Sequence, residues 1–145
     1  MDFFDALRIS SSGLSAQRVR MNLISSNLAN VNTTRTSEGG PYKRKDPVFA
    51  AVSASGSFQD ELGSQVRDKA SMVNVVGVIE DPGPSRLKYD PDHPDADDKG
   101  YVALPNINTI EEMVNMISAT RSYEANVAAI KATKKMALKA LEIGK

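Results

Sequence analysis

Residues equipped for catalysis are few in this chain, and their spacing does not assemble a catalytic site. The single histidine, His93, lies between Pro91 and Pro94 in an acidic stretch. The composition contains serine, histidine and aspartate, but no G-x-S-x-G nucleophile motif accompanies them. The chain has no cysteine, which excludes a thiol nucleophile, a disulfide and a cysteine metal site. We therefore predict that the protein is not an enzyme and has no catalytic residue, no cofactor-binding residue and no cofactor.

The carboxylates around His93 suggest a calcium site, because Ca²⁺ takes oxygen ligands. The aspartates of this stretch are Asp90, Asp92, Asp95, Asp97 and Asp98. An EF-hand loop beginning at Asp90 would place Pro94, Asp95 and Tyr101 where that loop needs an oxygen ligand, a glycine and a glutamate. The match fails at all three positions, so we predict a solvated acidic turn and no metal site.

The charges balance overall but are unevenly distributed along the chain. Eighteen basic and eighteen acidic residues give a net charge of zero, divided as +2 over residues 1–35, −6 over 36–120 and +4 over 121–145. Basic ends and an acidic middle would favour end-to-middle contacts between subunits, although a mixed solvated surface is the simpler explanation. The basic run at 39–45 (GGPYKRK) has one aromatic residue and no phosphate-binding glycine spacing. It predicts a linker or arm, and we expect no nucleic-acid partner.

The N-terminus does not resemble a cleaved secretory signal. Residues 1–12 carry Asp2 and Asp5 where such a signal has basic residues, and no long apolar run follows. No stretch approaches the roughly 20 apolar residues of a transmembrane helix. We expect no direct membrane insertion, and any export would use a signal that is not cleaved.

Apolar periodicity predicts a long helix over residues 1–34. The seam positions, which repeat every seven residues as in a coiled coil, are Leu7, Leu14, Met21 and Leu28. At about 1.5 Å per residue the helix would span roughly 50 Å. Three asparagines, Asn27, Asn30 and Asn32, should end this helix, because asparagine is unfavourable inside helices and its amide bonds the local backbone.

A second helix of similar length is predicted over residues 108–145. Its apolar seam consists of Met113, Met116, Tyr123, Val127, Ile130 and Leu141. Thr109 and Glu112 have the S/T-x-x-E spacing of a capping box. Their hydroxyl and carboxylate are therefore expected to satisfy the free N–H groups at the start of the helix.

The middle segment, residues 35–107, differs in kind because it contains all seven prolines. The valine-rich run at 71–80 predicts a strand that ends at the turn formed by residues 81–84 (DPGP). Shorter strands are predicted at 86–89 and 102–104, and residues 48–52 fit either a strand or a short helical turn. The polar, proline-broken stretch at 90–100 predicts no regular structure. The segment is therefore a small β-containing module or a set of extended arms.

The two predicted helices share a difficulty, because each has only one narrow apolar stripe. A pair of such helices buries little core for its length. One solution is self-association or binding of partner helices along the seams. The other is packing of both helices on the middle segment as an ordinary α+β domain. The pattern alone does not choose between them.

The end of the first predicted helix resembles the N-terminal motif of the flagellar rod and hook proteins. The motif is carried by residues 25–34 (SSNLANVNTT), preceded by residues 12–17 (SGLSAQ). Its core consists of Asn27, Leu28, Ala29, Asn30, Asn32 and Thr33. The motif is long, and its match is far more specific than a single short pattern.

A second resemblance, to proximal-rod members of the same family, lies further along the chain. It is carried by residues 100–108 (GYVALPNIN), Glu112 and Met113, and residues 121–127 (RSYEANV). Residues 41–44 (PYKR) and 89–96 (YDPDHPDA) are also similar. The resemblance covers nearly the whole chain.

This resemblance implies a fold and a function. The fold is mainly α, with residues 1–34 and 108–145 paired as an antiparallel coiled coil and residues 35–107 as an extended or β-containing insertion. The function is that of a structural subunit of the proximal rod of the bacterial flagellar basal body. Such subunits polymerise through their terminal helices into a helical tube that transmits motor torque and passes exported axial proteins. The alternative is a soluble helical adaptor or regulator that binds partner helices.

The resemblance also implies partners and a location. The expected neighbours are copies of the chain itself and the proximal-rod proteins FliE, FlgB and FlgF. The distal-rod protein FlgG, the rod-cap protein FlgJ and the flagellar type III export apparatus complete the set. The expected location is the rod of the basal body in the periplasmic space, reached without a cleaved signal peptide.

Overall fold

The computed structural model describes residues 3–53 and 71–143, so the part of the middle segment at 54–70 lies outside it. The helices are α1, Phe3–Ala29, and α2, Thr109–Ile143. The strands between them are β1, Lys45–Ser53; β2, Ser71–Glu80; β3, Arg86–Tyr89; and β4, Tyr101–Leu104. The prediction of long terminal helices around a small β-containing middle is confirmed.

Helix α1 ends at Ala29, about one turn before the predicted end near residue 34. The cause is local bonding by Asn30, whose Nδ2 donates to the carbonyl of Ser26 at 2.8 Å. Thr33 donates from its Oγ1 to Asn30 Oδ1 and from its N–H to the Asn30 carbonyl. Asn30 thus offers the backbone an alternative to further helix, so the predicted helix-ending role is confirmed for Asn30, whereas the amide of Asn27 binds Lys45 and Glu112.

Helix α2 begins at Thr109, but the predicted capping box is wrong. Asn108 is the cap, because its Oδ1 accepts the N–H of Ile110 at 3.1 Å and its carbonyl accepts the N–H of Glu112. The Glu112 carboxylate does not fold back on the helix start. It binds Asn27 and Arg44 instead, so a tertiary contact replaces the local one.

Strands β1 and β2 form an antiparallel two-stranded sheet, and β3 and β4 form another. In the first sheet Val48 lies opposite Gly77 while Phe49 lies opposite Val75, so β2 contains one extra residue in a β-bulge. The strands expected at 71–80, 86–89 and 102–104 are confirmed, and residues 48–52 are strand rather than helical turn.

The acidic stretch at 90–100 forms turns between β3 and β4, as expected. Asp97 Oδ1 accepts the N–H groups of Lys99 and Tyr101. Gly100 has a φ of +78°, and a Cβ there would lie 2.9 Å from the Tyr89 ring, so only glycine fits without strain. His93 accepts the backbone N–H of Asp95 at its Nδ1, so the His93 side chain stabilises this turn.

The two helices contact each other along much of their length. As α1 is followed from Gly13 to Asn27, its contacts on α2 move from Asn126 back to Glu112. Gly13 permits the close approach, since a Cβ there would lie 3.0 Å from Asn126 Nδ2. Helix α1 also packs on β1 and β2, and Ser12 Oγ accepts the N–H of Val73 at 3.1 Å. Within the described residues α2 packs on α1 and not on a strand, so the expected packing of both helices on the middle segment is found for α1 alone.

The buried core is small for a chain of 145 residues. Among the described residues its apolar members are Ala16, Ile24, Val102, Ile107 and Ala119, and Pro105 is fully buried beside them. No helix in the described ranges is long and apolar enough to cross a membrane. Because the core is so small, most of the apolar surface of both helices is left partly or fully exposed.

Candidate assembly surface

A polar cluster joins three parts of the chain at the point where α1 ends and α2 begins. Its members are Asn27, Tyr42, Arg44, Asp46 and Glu112. Asn27 lies in the last turn of α1, Glu112 lies in the first turn of α2, and Arg44 immediately precedes β1. The cluster therefore links the two terminal helices to the β1–β2 sheet.

Asn27 is completely buried, with 0% of its surface exposed, and uses the full hydrogen-bonding capacity of its amide. Its Nδ2 donates to the carbonyl of Lys45 at 3.0 Å and to Glu112 Oε2 at 3.1 Å. Its Oδ1 accepts the N–H of Lys45 at 2.9 Å and the hydroxyl of Tyr42 at 3.1 Å. The amide thus pairs with the backbone of Lys45 much as a neighbouring strand would, which only a side chain that both donates and accepts can do.

Glu112 is also buried, at 1% exposure, and both of its carboxylate oxygens are bonded. Arg44 Nε donates to Glu112 Oε1 at 2.7 Å, and Arg44 Nη1 donates to Asp46 Oδ2. Burial opposes the charge of Arg44, but its hydrogen bond to Glu112 and the nearby carboxylates outweigh this effect, so the pKa of Arg44 is raised. The guanidinium is charged throughout the physiological range, and the pair is a salt bridge between a buried carboxylate and a half-buried guanidinium.

The residues predicted as an assembly seam fall into two groups. Those half-buried in the single chain are Leu7, Leu14, Met21, Leu28, Met116, Tyr123, Val127 and Ile130. Met113 is 49% exposed and Leu141 is 70% exposed, so these two point away from α1. The positions of α2 that are buried are Glu112 and Ala119. At the start of α2 the buried face is therefore offset by about one residue from the predicted apolar seam, since Glu112 is buried and Met113 is exposed.

The motif residues of the predicted family core also separate by environment. Asn27 is buried, whereas Leu28, Asn30 and Thr33 are half-buried and Ala29 and Asn32 are exposed. Asn30 bonds the local backbone, whereas Asn27 bonds Lys45 and Glu112, which are distant in sequence. The structure thus gives the motif a physical role in ending α1 and attaching it to β1.

Sequence reasoning missed Tyr42, Arg44 and Glu112 as members of one cluster. Residues 39–45 were interpreted as a flexible basic arm, and Glu112 as part of a local cap. The signal available was the short PYKR run at 41–44, which resembled the family without a stated role. The separation of 68 residues between Arg44 and Glu112 hid their pairing.

A stripe of exposed apolar residues runs along the first two turns of α2. The outer stripe consists of Ile110, Met113, Val114 and Ile117, which are 49–70% exposed. Their spacing of three and four residues places them on one face of the helix. At the other end of α2, Met136, Leu138, Leu141 and Ile143 are exposed beside a series of lysines. Apolar patches in such a linear array are typical of protein interfaces.

Two terminal helices that contact each other, a small core and open apolar faces define a structural protein that assembles with other chains. Comparison with known proteins agrees with this class. Residues 7–35 match the family described as flagella basal body rod protein. Residues 98–143 match the family described as flagellar basal body rod FlgEFG protein C-terminal. Together these matches cover all of α2 and most of α1.

Individual relatives narrow the assignment. The flagellar basal-body rod protein FlgC of Bacillus subtilis is 47% identical, over 100% of this chain and 100% of that protein. The FlgC of Borreliella burgdorferi is 44% identical over 99% of this chain and 98% of that protein, and the FlgC of Salmonella typhimurium is 39% identical over 99% and 97%. The chain belongs to the FlgC family of flagellar basal-body rod proteins. It is a structural subunit of the flagellar basal body and not an enzyme, as the sequence predicted.

Proposed function

We propose that this rod subunit lies in the proximal rod and polymerises through α1 and α2 into a helical tube. The tube transmits motor torque and leaves a passage for exported axial proteins. The observation that carries the proposal is the outer stripe of α2, which no part of the described chain covers. A rigid tube wall requires such open helix faces, because neighbouring subunits must bury surface that the single chain leaves exposed.

The helix pair supplies the wall of the tube in this proposal. Residues 1–34 and 108–145 pair as an antiparallel coiled coil, supported by contacts that run in opposite order along α1 and α2. The half-buried seam residues lie between these helices or between subunits. Met113 and Leu141 belong to the surface that contacts neighbours. Residues 35–107 form the insertion attached at the polar cluster.

The partners follow from the same assembly. Copies of this chain, FliE, FlgB and FlgF would share the proximal rod, with FlgG further out and FlgJ assisting at the growing end. The export apparatus would deliver the subunit to the periplasmic space without cleavage. The uneven charge, with basic chain ends and an acidic middle, supports contacts between different parts of neighbouring subunits.

The outer stripe provides the test. Replacing Ile117, which is 62% exposed, with aspartate should leave the isolated subunit folded but stop its incorporation into rods. The matched control is Ser118→Asp, an equal change of charge at the next exposed position of the same helix. Both variants are expressed in cells that lack the native subunit, and motility and isolated basal bodies are scored.

Loss of motility with Ile117→Asp but not with Ser118→Asp would support the proposal. Normal rods with Ile117→Asp would contradict the assigned surface. Val127→Asp, in the half-buried seam, should reduce both folding and assembly, because it replaces a partly buried apolar side chain with a charge. Normal motility with this third variant would count against the helix-paired wall itself.

A further inference from the structure

The apolar contacts between α1 and α2 leave their axial alignment poorly specified. The seam of α1 repeats every seven residues, so sliding one helix by two turns brings similar side chains into the same places. Helix α2 is rich in alanine, and its buried apolar position facing α1 is Ala119. Small side chains on a smooth helix surface give few of the interlocking contacts that distinguish one alignment from another.

The polar contacts between the helices are not equivalent. The hydrogen bond from Arg20 to Asn115 is 3.4 Å long and partly exposed, and the contact of Thr120 with Met21 is exposed. The hydrogen bond from Asn27 to Glu112 is buried, and Arg44 holds the other oxygen of the same carboxylate. A shift of one helical turn, roughly 5.4 Å, would break both contacts and leave a buried carboxylate without a partner.

We propose that Asn27, Arg44 and Glu112 act as a registration device that fixes one axial alignment of α1 against α2 and attaches the β1–β2 sheet to it. Buried salt bridges add little net stability compared with apolar residues of similar size, because desolvation offsets the attraction. Misalignment, in contrast, is penalised heavily once the charges are buried. The device therefore selects among alignments and does not strengthen the chosen one.

The attachment of the sheet follows from the same residues. Asn27 holds both the N–H and the carbonyl of Lys45, the first residue of β1, while Arg44 immediately before it holds Glu112. The alignment of the helices and the position of the sheet are thus set at a single point. This inference concerns the single folded chain and does not depend on the proposed place in the rod.

The test measures alignment and stability separately. The chain has no cysteine, so Arg18→Cys and Lys131→Cys, both at exposed positions, give two unique sites for spin labels on α1 and α2. Pulsed electron spin resonance on the full-length chain reports the distance between them, and urea unfolding reports stability.

The variant is the triple replacement Asn27→Leu, Arg44→Met and Glu112→Leu. The control is Arg121→Met with Glu124→Leu, which removes an exposed ion pair of the same helix.

The unaltered cluster should give one narrow distance, and the control should reproduce it. The triple variant should unfold at a somewhat lower urea concentration, because leucine at position 27 leaves the Lys45 backbone and the Tyr42 hydroxyl without their partner. Where it is folded, it should show a broadened distance or one shifted by up to about 10 Å, the two helical turns of the seam repeat. An unchanged narrow distance in the triple variant would overturn the proposal, as would a broad distance with the cluster intact.

If the triple variant does not fold, Asn27→Leu with Glu112→Leu is measured instead, since Arg44 keeps Asp46 as its partner. Failure of both to fold would assign the cluster to stability and overturn registration.

Discussion

At the scale of single residues, Asn27 shows how a buried amide can connect segments distant in sequence. Its four hydrogen bonds reach Tyr42, Lys45 and Glu112. Neither an apolar side chain nor an acid reproduces the pattern, because two of the bonds need a donor and two need an acceptor. The sequence predicted a role for Asn27 at the end of the helix, but its partners on β1 and α2 came from the structure.

Asn27→Asp tests this role directly. The new carboxylate loses both donors and faces the Glu112 carboxylate in a buried site, so we expect the free energy of unfolding to fall by about 3–5 kcal/mol. Urea unfolding followed by circular dichroism measures it. Asn22→Asp, the same change at an exposed position of α1, is the control and should cost less than about 0.5 kcal/mol. Equal effects of the two changes would show that Asn27 is not held as described.

At the scale of elements, local patterns predicted the helices and strands well and their ends less well. The strand at 71–80 and the turn that follows it are where valine content and the DPGP turn placed them. The start of α2 was also found, but with the wrong cap. A spacing rule assigned Glu112 to the helix start, whereas the carboxylate has stronger partners in Arg44 and Asn27.

The two caps make opposite predictions. Asn108→Ala should lower the free energy of unfolding by about 0.5–2 kcal/mol, because the N–H of Ile110 loses its acceptor. Thr109→Ala should change stability by less than that, since the Glu112 carboxylate of the expected capping box is bound elsewhere. Urea unfolding of both variants under identical conditions provides the comparison. A larger loss for Thr109→Ala would restore the capping box.

At the scale of the whole molecule, the chain is an incomplete structure that assembly would complete. Half-buried positions of α2 continue as far as Ala137, while residues 138–143 are exposed all round. Helices gain most of their stability in proteins from packing. The C-terminal end of α2 is therefore the part of the described chain with least support in the monomer.

Limited trypsin digestion of the dilute protein should detect this difference. Within the two helices, we expect the first cuts after the exposed lysines of α2, which are Lys131, Lys134, Lys135 and Lys139. Arg20 should resist longer, because it is half-buried and bonded to Asn115. Fragment masses identify the order of cutting. Early cutting at Arg20 would mean that the helix pair forms only in the assembly.

The sequence by itself determined the class of fold, the family and the absence of a catalytic motif. Each depends on information that is local in the chain: the periodicity of apolar residues, turn-forming residues, and the two motifs at 25–34 and 100–127. The strands and the asparagine-ended helix followed from the same local rules. These features can be predicted because they depend on sterics and hydrogen bonding between residues close in sequence, and the final fold agrees with those local preferences.

Only the tertiary structure decided which polar residues meet and which apolar residues remain open. Arg44, Asn27 and Glu112 belong to three segments, and their pairing depends on how the helices and β1 pack. The same packing turned Met113 outward and buried Glu112 next to it in sequence. A helix packs as a rigid body, so a small rotation about its own axis buries one residue and exposes its neighbour. Sequence periodicity predicts that an apolar stripe exists, but the surface on which the helix packs decides how the helix is rotated about its axis.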